Sequence, residues 1–93
     1  MKETEVARLF NERSAHFIAA GYHGPSVFDM LAADAELPFT LTLDDMAAIE
    51  RVQRETVRTR RKRGIGPPTY REGRIIRASR PDYCLWLKSK FVK

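Results

Sequence analysis

The chain has 93 residues, a hydrophobic content of 43% and a formal net charge of +5 at pH 7. A chain of this length is expected to form one domain without room for a deep catalytic cleft, and its apolar runs are too short to span a bilayer. The first ten residues lack the apolar core of a signal peptide. The single cysteine, Cys84, cannot form an internal disulfide, which favours a cytoplasmic protein.

The charge is distributed very unevenly along the chain. Residues 51–80 contain eleven Lys or Arg and two Glu, a net charge of +9. Residues 1–50 contain three Lys or Arg and nine Asp or Glu, a net charge of −6, and residues 81–93 contribute the remaining +2. A concentrated positive field attracts a polyanion, most commonly nucleic acid. A solvated basic face without an acidic partner would repel itself.

The first forty residues predict two short helices. Residues 2–20 form an amphipathic pattern, and a second helix is expected from residue 27 to about residue 36, capped by Ser26 and ended by Pro38. The apolar stripe of the first helix consists of Val6, Leu9, Phe10, Phe17 and Ile18. This stripe has two interpretations, which are burial in the core of the domain and a surface for self-association.

A hydroxyl followed by two carboxylates marks the start of a third helix. Thr42 precedes Asp44 and Asp45, which suits both the cap and the dipole of a helix N-terminus. The helical pattern stops near Arg51 and resumes at Gln53 or the residue after it. Two short helices with a tight break between them are typical of a helix-turn-helix.

The fourth helix, residues 54–63, is polar except for Val57. A short polar helix is unstable alone, so we expect an apolar anchor on one side and an acidic partner on the other. Gly64 ends this helix, and the following Gly-Pro-Pro turn leads to a hairpin over residues 69–77 with Gly73 at its tip. A last short helix is predicted to begin at Pro81.

In this order and spacing, residues 41–90 resemble the excisionase and AlpA-like winged helix-turn-helix domains, which are related to the DNA-binding half of MerR regulators. The resemblance rests on E-T-V after the turn, the basic run, G-P-P, the hairpin Y-R-E-G-R-I, and Asp82 followed by Trp86. The family often has an aromatic residue where this chain has Arg60. The expected fold is mostly α-helical with a small β-hairpin. A winged helix-turn-helix domain over residues 41–93 would follow an N-terminal helical extension over residues 1–40.

The resemblance implies that the fourth helix enters the major groove and that the hairpin wing contacts phosphates or a minor groove. With Val57 facing inward, Arg58 is expected to read guanine, while Glu55 accepts from cytosine or orients Arg58. The expected contacts from this helix are Arg54, Glu55, Arg58, Thr59, Arg61, Lys62 and Arg63. The expected contacts from the wing are Arg71, Arg74 and Arg77.

The resemblance implies a recombination directionality factor. Such a protein binds adjacent sites on double-stranded DNA, bends the DNA, and favours excision of a phage or integrative element by a tyrosine integrase. It has no catalytic activity and no cofactor, and it would be a cytoplasmic, nucleoid-associated bacterial protein. Charge polarity between the two halves favours head-to-tail contacts along DNA, with the apolar stripe meeting Phe91 and Val92 of a neighbour.

Two other functions stay open, and two more are disfavoured. A small transcriptional regulator would use the same domain, whereas an antitoxin or anti-repressor would use the acidic first half as a protein-interaction module. An RNA-binding role is disfavoured because Tyr70 is the only aromatic residue in the basic region. A catalytic role is disfavoured because the sequence has no recognisable catalytic set. With one cysteine and two histidines, no metal site is expected.

Overall fold

The computed structural model describes residues 3–91, including the side chains of residues 3–90. The fold is mostly helical, as the sequence predicted, and it contains a small three-stranded antiparallel sheet. The elements in chain order are α1 (Glu5–Ala19), α2 (Pro25–Ala32), β1 (Thr40–Thr42), α3 (Leu43–Glu50), α4 (Arg54–Arg63), β2 (Tyr70–Glu72), β3 (Ile75–Ser79) and α5 (Arg80–Phe91).

Helix α2 differs from its prediction at both ends. It begins at Pro25 with Gly24 as its N-cap, and the Ser26 hydroxyl donates to the carbonyl oxygen of His23 at 2.7 Å instead of capping the helix. It ends at Ala32 rather than near residue 36. Beyond it, the carboxylate of Asp34 accepts the backbone N–H of residue 36 at 3.0 Å. This local bond favours a turn over further helix, so Pro38 does not end α2.

The apolar stripe of α1 faces the core of the protein. Phe10 and Phe17 are buried, and Val6 and Leu9 pack against the same cluster. Only Ile18 of the stripe is well exposed, at 58%. Phe10 and Phe17 are therefore not available to a self-association surface, and Val6 and Leu9 are partly covered by the core of this chain.

The predicted extension and the rest of the chain share one hydrophobic core. Helix α2 packs against α5, and Arg80 of α5 donates to the carbonyl oxygens of Ala32 at 3.0 Å and Leu37 at 2.7 Å. The Lys88 ammonium group lies 2.9 Å from a carboxylate oxygen of Asp29 on α2. The first forty residues are thus integral to the fold. Val92 and the side chain of its neighbour at position 91, the predicted counterpart of the stripe, lie outside the described residues.

The sheet contains one strand that the sequence did not predict. The hairpin of β2 and β3 is confirmed, with Gly73 in the left-handed region at φ 62°. Strand β1 adds to the other side of β3, giving the order β1-β3-β2, with Leu41 paired to Ala78. Both side chains of that pair are fully buried. The three residues of β1 are too few to show the alternation of apolar and polar residues that marks a strand in a sequence. In the structure, β1 connects the hairpin to the start of α3.

The segment from α3 to α4 follows the prediction closely. The Thr42 hydroxyl oxygen accepts the N–H of Asp45 at 3.2 Å, and the Asp45 carboxylate accepts the N–H of Thr42 at 3.1 Å. This reciprocal capping fixes the start of α3. Arg51 adopts a left-handed conformation at φ 58°, which turns the chain sharply into α4. Gly64 ends α4 at φ 70°.

Candidate nucleic-acid interface

An open groove of about 560 Å³ lies between the start of α3, helix α4 and the β2–β3 hairpin. Among the described residues that line it, Asp44 is the only acidic one. Six basic side chains line the groove: Arg54, Arg58, Arg61, Lys62, Arg71 and Arg74. Four of them come from α4 and two from the hairpin, so two separate elements converge on one positively charged surface.

The spacing of residues along α4 explains which of them reach the groove. Because an α-helix has 3.6 residues per turn, positions 54, 58, 61 and 62 lie along one face. Val57 lies beside that face and is the one buried residue of α4, at 4% exposure. Its burial turns the neighbouring face toward the hairpin. One apolar residue therefore sets the direction of four cations.

The groove cations are only weakly neutralised by the protein. Arg54 lies 3.5 Å from a carboxylate oxygen of Asp44, and Arg58 lies 3.7 Å from one of Glu55. Both are long, exposed ion pairs that contribute little energy, so an incoming anion can displace them. Within the part of the chain that the structure describes, the other four groove cations have no carboxylate within 4.0 Å. The groove therefore retains most of its positive charge.

Four predicted contact residues lie outside the groove. Glu55, Thr59 and Arg63 are exposed on α4 but do not line the groove. Arg77 lies on the outer face of the sheet, because it alternates with the buried Ala78 on β3. Its Nε is 2.9 Å from a Glu72 carboxylate oxygen, although the two are not aligned as a hydrogen bond. Arg77 therefore does not join the cations of the hairpin tip.

Helix α4 has a second anchor that the sequence interpretation did not include. Arg60 lies on the same side of the helix as Val57 and donates from Nη1 to Glu50 at 2.8 Å. Its guanidinium group also lies 5.5 Å from the centre of the Trp86 ring. The available signal in the sequence was the position of Arg60, where the family that the chain resembles often has an aromatic residue. Because Arg60 lies within a run of basic residues, the sequence alone makes it look like one more phosphate contact.

Two observations concern reactive and metal-binding side chains, the burial of Cys84 and the placement of the potential metal ligands. Burial raises the pKa of the Cys84 thiol to about 12, so this cysteine is not a nucleophile near neutral pH. The described residues contain no cluster of three His, Cys, Asp or Glu side chains placed to hold a metal ion. None of the described helices has the length and apolar character needed to cross a membrane.

Comparisons with protein-family models, curated proteins and solved structures gave no match to this chain. The family resemblance noted from the sequence therefore stays a prediction.

Proposed function

We propose that this protein binds double-stranded DNA as a winged helix-turn-helix, with α4 in the major groove and the β2–β3 hairpin as the wing. The observation that carries the proposal is the groove in which six cations from α4 and the hairpin converge. Nucleic acid is the common polyanion that could occupy such a surface, and an α-helix fits the major groove of B-DNA. The short break between α3 and α4, at residues 51–53, supports the same arrangement.

Individual roles follow from position in the groove. Arg58 lies near the middle of the exposed face of α4 and is the residue best suited to a bidentate contact with guanine. Arg54, Arg61 and Lys62 flank it and suit phosphate contacts. Arg61 is already oriented, because its Nε donates to the Thr69 hydroxyl at the base of the wing at 3.0 Å. This bond links the major-groove helix to the wing.

The wing suits a narrow minor groove or its phosphates. Arg71 and Arg74 flank the tip at Gly73 and line the same groove as α4. The position of Arg77 on the outer face of the sheet argues against the same role for it. Tyr70 is exposed and shares that outer face, since it pairs directly with Arg77. A stacking surface for single-stranded RNA is therefore not part of the groove, which favours duplex DNA.

The biological role that we propose is that of a recombination directionality factor, and it rests on the sequence resemblance. The protein would bind adjacent sites beside the attachment site of a tyrosine integrase and bend the DNA toward excision. A single domain of this size reads only a few base pairs, so neighbouring copies on DNA would raise both affinity and specificity. Because Phe10 and Phe17 are buried and Val6 and Leu9 pack against the core, head-to-tail contact between copies would depend mainly on charge rather than on the α1 stripe.

Selection of bound sequences from a random duplex library, followed by footprinting on the selected site, tests this function. Duplex binding that weakens steeply with salt supports the DNA-binding proposal. Protection of adjacent direct repeats with hypersensitive positions supports the directionality role, whereas one protected palindrome indicates a transcriptional regulator. No binding to any duplex would contradict the proposal and favour a protein-interaction module.

A further inference from the structure

Helix α4 is attached to the rest of the protein by very few side chains. Val57 is its one buried residue, and the other residues on its inner side are polar. Arg60 is the second inward-facing side chain, with 22% of its side chain exposed. The three basic residues that follow it, residues 61–63, are exposed. Arg60 therefore differs in environment from the basic run to which it belongs.

Arg60 binds a carboxylate that is itself fixed in place. The Glu50 side chain at the end of α3 is only 11% exposed, and it accepts from Arg60 Nη1 at 2.8 Å. Its other oxygen accepts the hydroxyl of the fully buried Tyr83 at 2.8 Å. Burial, together with the nearby Glu50 carboxylate, raises the pKa of Tyr83 far above its ordinary value, so the phenol stays a donor. The carboxylate thus presents a fixed acceptor to the guanidinium group.

The indole ring of Trp86 forms the other wall of this site. The Arg60 guanidinium carbon lies 5.5 Å from the ring centre, and the Lys90 ammonium nitrogen lies 4.5 Å from it. The ring stacks on Tyr83, and its Nε1 donates to the carbonyl oxygen of Ile65 at 3.1 Å. A planar guanidinium can stack on an aromatic ring while it pairs with a carboxylate, and its fixed donor geometry holds that position more firmly than an ammonium group does.

We infer that Arg60 is a positioning residue, which orients the groove face of α4 through Glu50 and Trp86 and does not itself contact phosphate. This inference rests on the proposed DNA-binding function. A recognition helix must be held rigidly for its side chains to meet base edges, and contacts behind the helix provide that rigidity. Because α3, α4 and α5 all contribute to the cluster, loss of Arg60 would release α4 on the side away from DNA.

The test compares Arg60→Gln with Lys90→Gln. Both variants lose one positive charge that touches Glu50 and Trp86, but only the first residue lies on α4. We expect Arg60→Gln to lower the ratio of preferred-site to unrelated-site affinity roughly tenfold, or about 1.4 kcal/mol. The slope of log affinity against log salt should stay unchanged, and Lys90→Gln should leave the affinity ratio intact. An equal loss on all sequences with a slope reduced by about 0.9 would make Arg60 a phosphate contact and overturn the inference.

Arg60→Lys supplies a second, conservative variant. It keeps the charge but loses the planar group, so a positioning role predicts the same loss of specificity as Arg60→Gln. Recovery of wild-type specificity in this variant would contradict that role.

Hydrogen exchange of the α4 amides gives a readout that does not depend on DNA. Exchange should accelerate in Arg60→Gln and stay unchanged in Lys90→Gln, while the α1 amides report whether the whole protein has unfolded. Unchanged α4 exchange in Arg60→Gln would overturn the inference. Wild-type protein that binds no duplex would overturn the proposed function and the role in DNA recognition, and the exchange rates would still decide whether Arg60 holds α4 in place.

Discussion

Helices α1 and α4 both carry arginines, but the protein uses them in opposite ways. On α1, Arg8 is paired with Glu5 and Glu12, and Arg13 lies 2.6 Å from Asp34. On α4, the arginines and the lysine that face the groove have long ion pairs or none. Charges that are satisfied within the chain stabilise the fold, whereas charges left without a close partner are available to a ligand.

The two helices also differ in how they are held. Helix α1 buries Ala7, Phe10 and Phe17, so its attachment comes from apolar area. Helix α4 buries one valine and is otherwise secured by the pairing of Arg60 with Glu50. An apolar face would also stabilise α4 but would leave fewer positions for polar contacts. Helix α4 thus has less apolar packing than α1 and a more accessible polar surface. Four substitutions test this contrast.

The largest effect is expected from Phe10→Ala in α1. Removing a buried phenylalanine side chain typically costs about 3–5 kcal/mol of unfolding free energy, which is a large fraction of the stability of a small domain. Urea denaturation followed by circular dichroism measures the loss. The matched control is Ile18→Ser, because Ile18 is the exposed member of the same stripe and its replacement should change stability little.

The same pair of variants tests what is left of the self-association hypothesis. If Phe10→Ala were as stable as wild type while cooperative binding to DNA was lost, the stripe would be an interface and the burial in α1 would not matter to the fold. A loss of stability with no effect of Ile18→Ser on cooperativity would confine the stripe to the core.

The next effect concerns the charge that α1 satisfies internally. Burial acts to raise the pKa of Asp34, but hydrogen bonds from Arg13 and from the backbone N–H of Glu36 outweigh it and hold the pKa below its ordinary value. We expect Asp34→Asn to cost about 1.5–3 kcal/mol near neutral pH, as for a hydrogen bond to a charged group. Glu12→Gln is the control, because its exposed contact with Arg8 should contribute less than about 0.5 kcal/mol.

The pH dependence of stability has a definite sign for Asp34. A carboxyl group whose pKa is lowered by folding stabilises the protein above its unfolded pKa, which is about 3.9, and the contribution disappears as pH falls through the lower folded value. Wild-type protein should therefore lose more stability between about pH 5 and pH 3 than Asp34→Asn. Equal losses in urea titrations at the two pH values would show that the pair contributes nothing.

A smaller effect, of about 1–3 kcal/mol, is expected from Arg58→Ala in the groove. The loss should fall on one base pair of the preferred site and relax the preference there, which a panel of singly substituted duplexes can measure. Arg63→Ala is the control, since Arg63 lies on α4 but outside the groove. A uniform loss across the panel would move Arg58 to the phosphate contacts and weaken the contrast between α4 and α1.

The sequence predicted the helices well because their boundaries carry chemical signals. Thr42 and Gly64 each satisfy backbone groups at a helix end, and each marks the observed boundary. The end of α2 was predicted four residues too late because the Asp34 carboxylate, which bonds locally to residue 36, is also bound by Arg13 from a distant part of the chain. Strand β1 was missed because its pairing partner lies far along the chain.

The candidate site was also predictable in part. Helical periodicity places Arg58 and Lys62 on one face once Val57 is taken as buried. The sequence could not show that Arg77 faces away from the wing tip, because that depends on the register of β3 against both neighbours. Nor could it separate Arg60 from the exposed basic residues, because the carboxylate and indole that bind it come from α3 and α5.

The smallest effect is expected from Arg74→Gln at the wing, and it is also the most direct test of the contrast between free and paired charges. Arg74 lines the groove and, among the described residues, has no carboxylate within 4.0 Å. A phosphate contact releases counterions, so its loss should reduce the slope of log affinity against log salt by about 0.9 and weaken binding about fivefold near 0.15 M salt. The loss should be equal for preferred and unrelated duplexes, because phosphates carry no sequence information.

Arg8→Gln is the matched control for this measurement. It removes the same charge from α1, where Arg8 is paired with Glu5 and Glu12, so the net charge of the two variants is identical. If both variants reduced the slope equally, binding would respond to net charge alone and the groove would have no special role. A reduced slope in Arg74→Gln with an unchanged slope in Arg8→Gln would locate the DNA at the wing, since a paired charge on α1 neither contacts phosphate nor releases counterions.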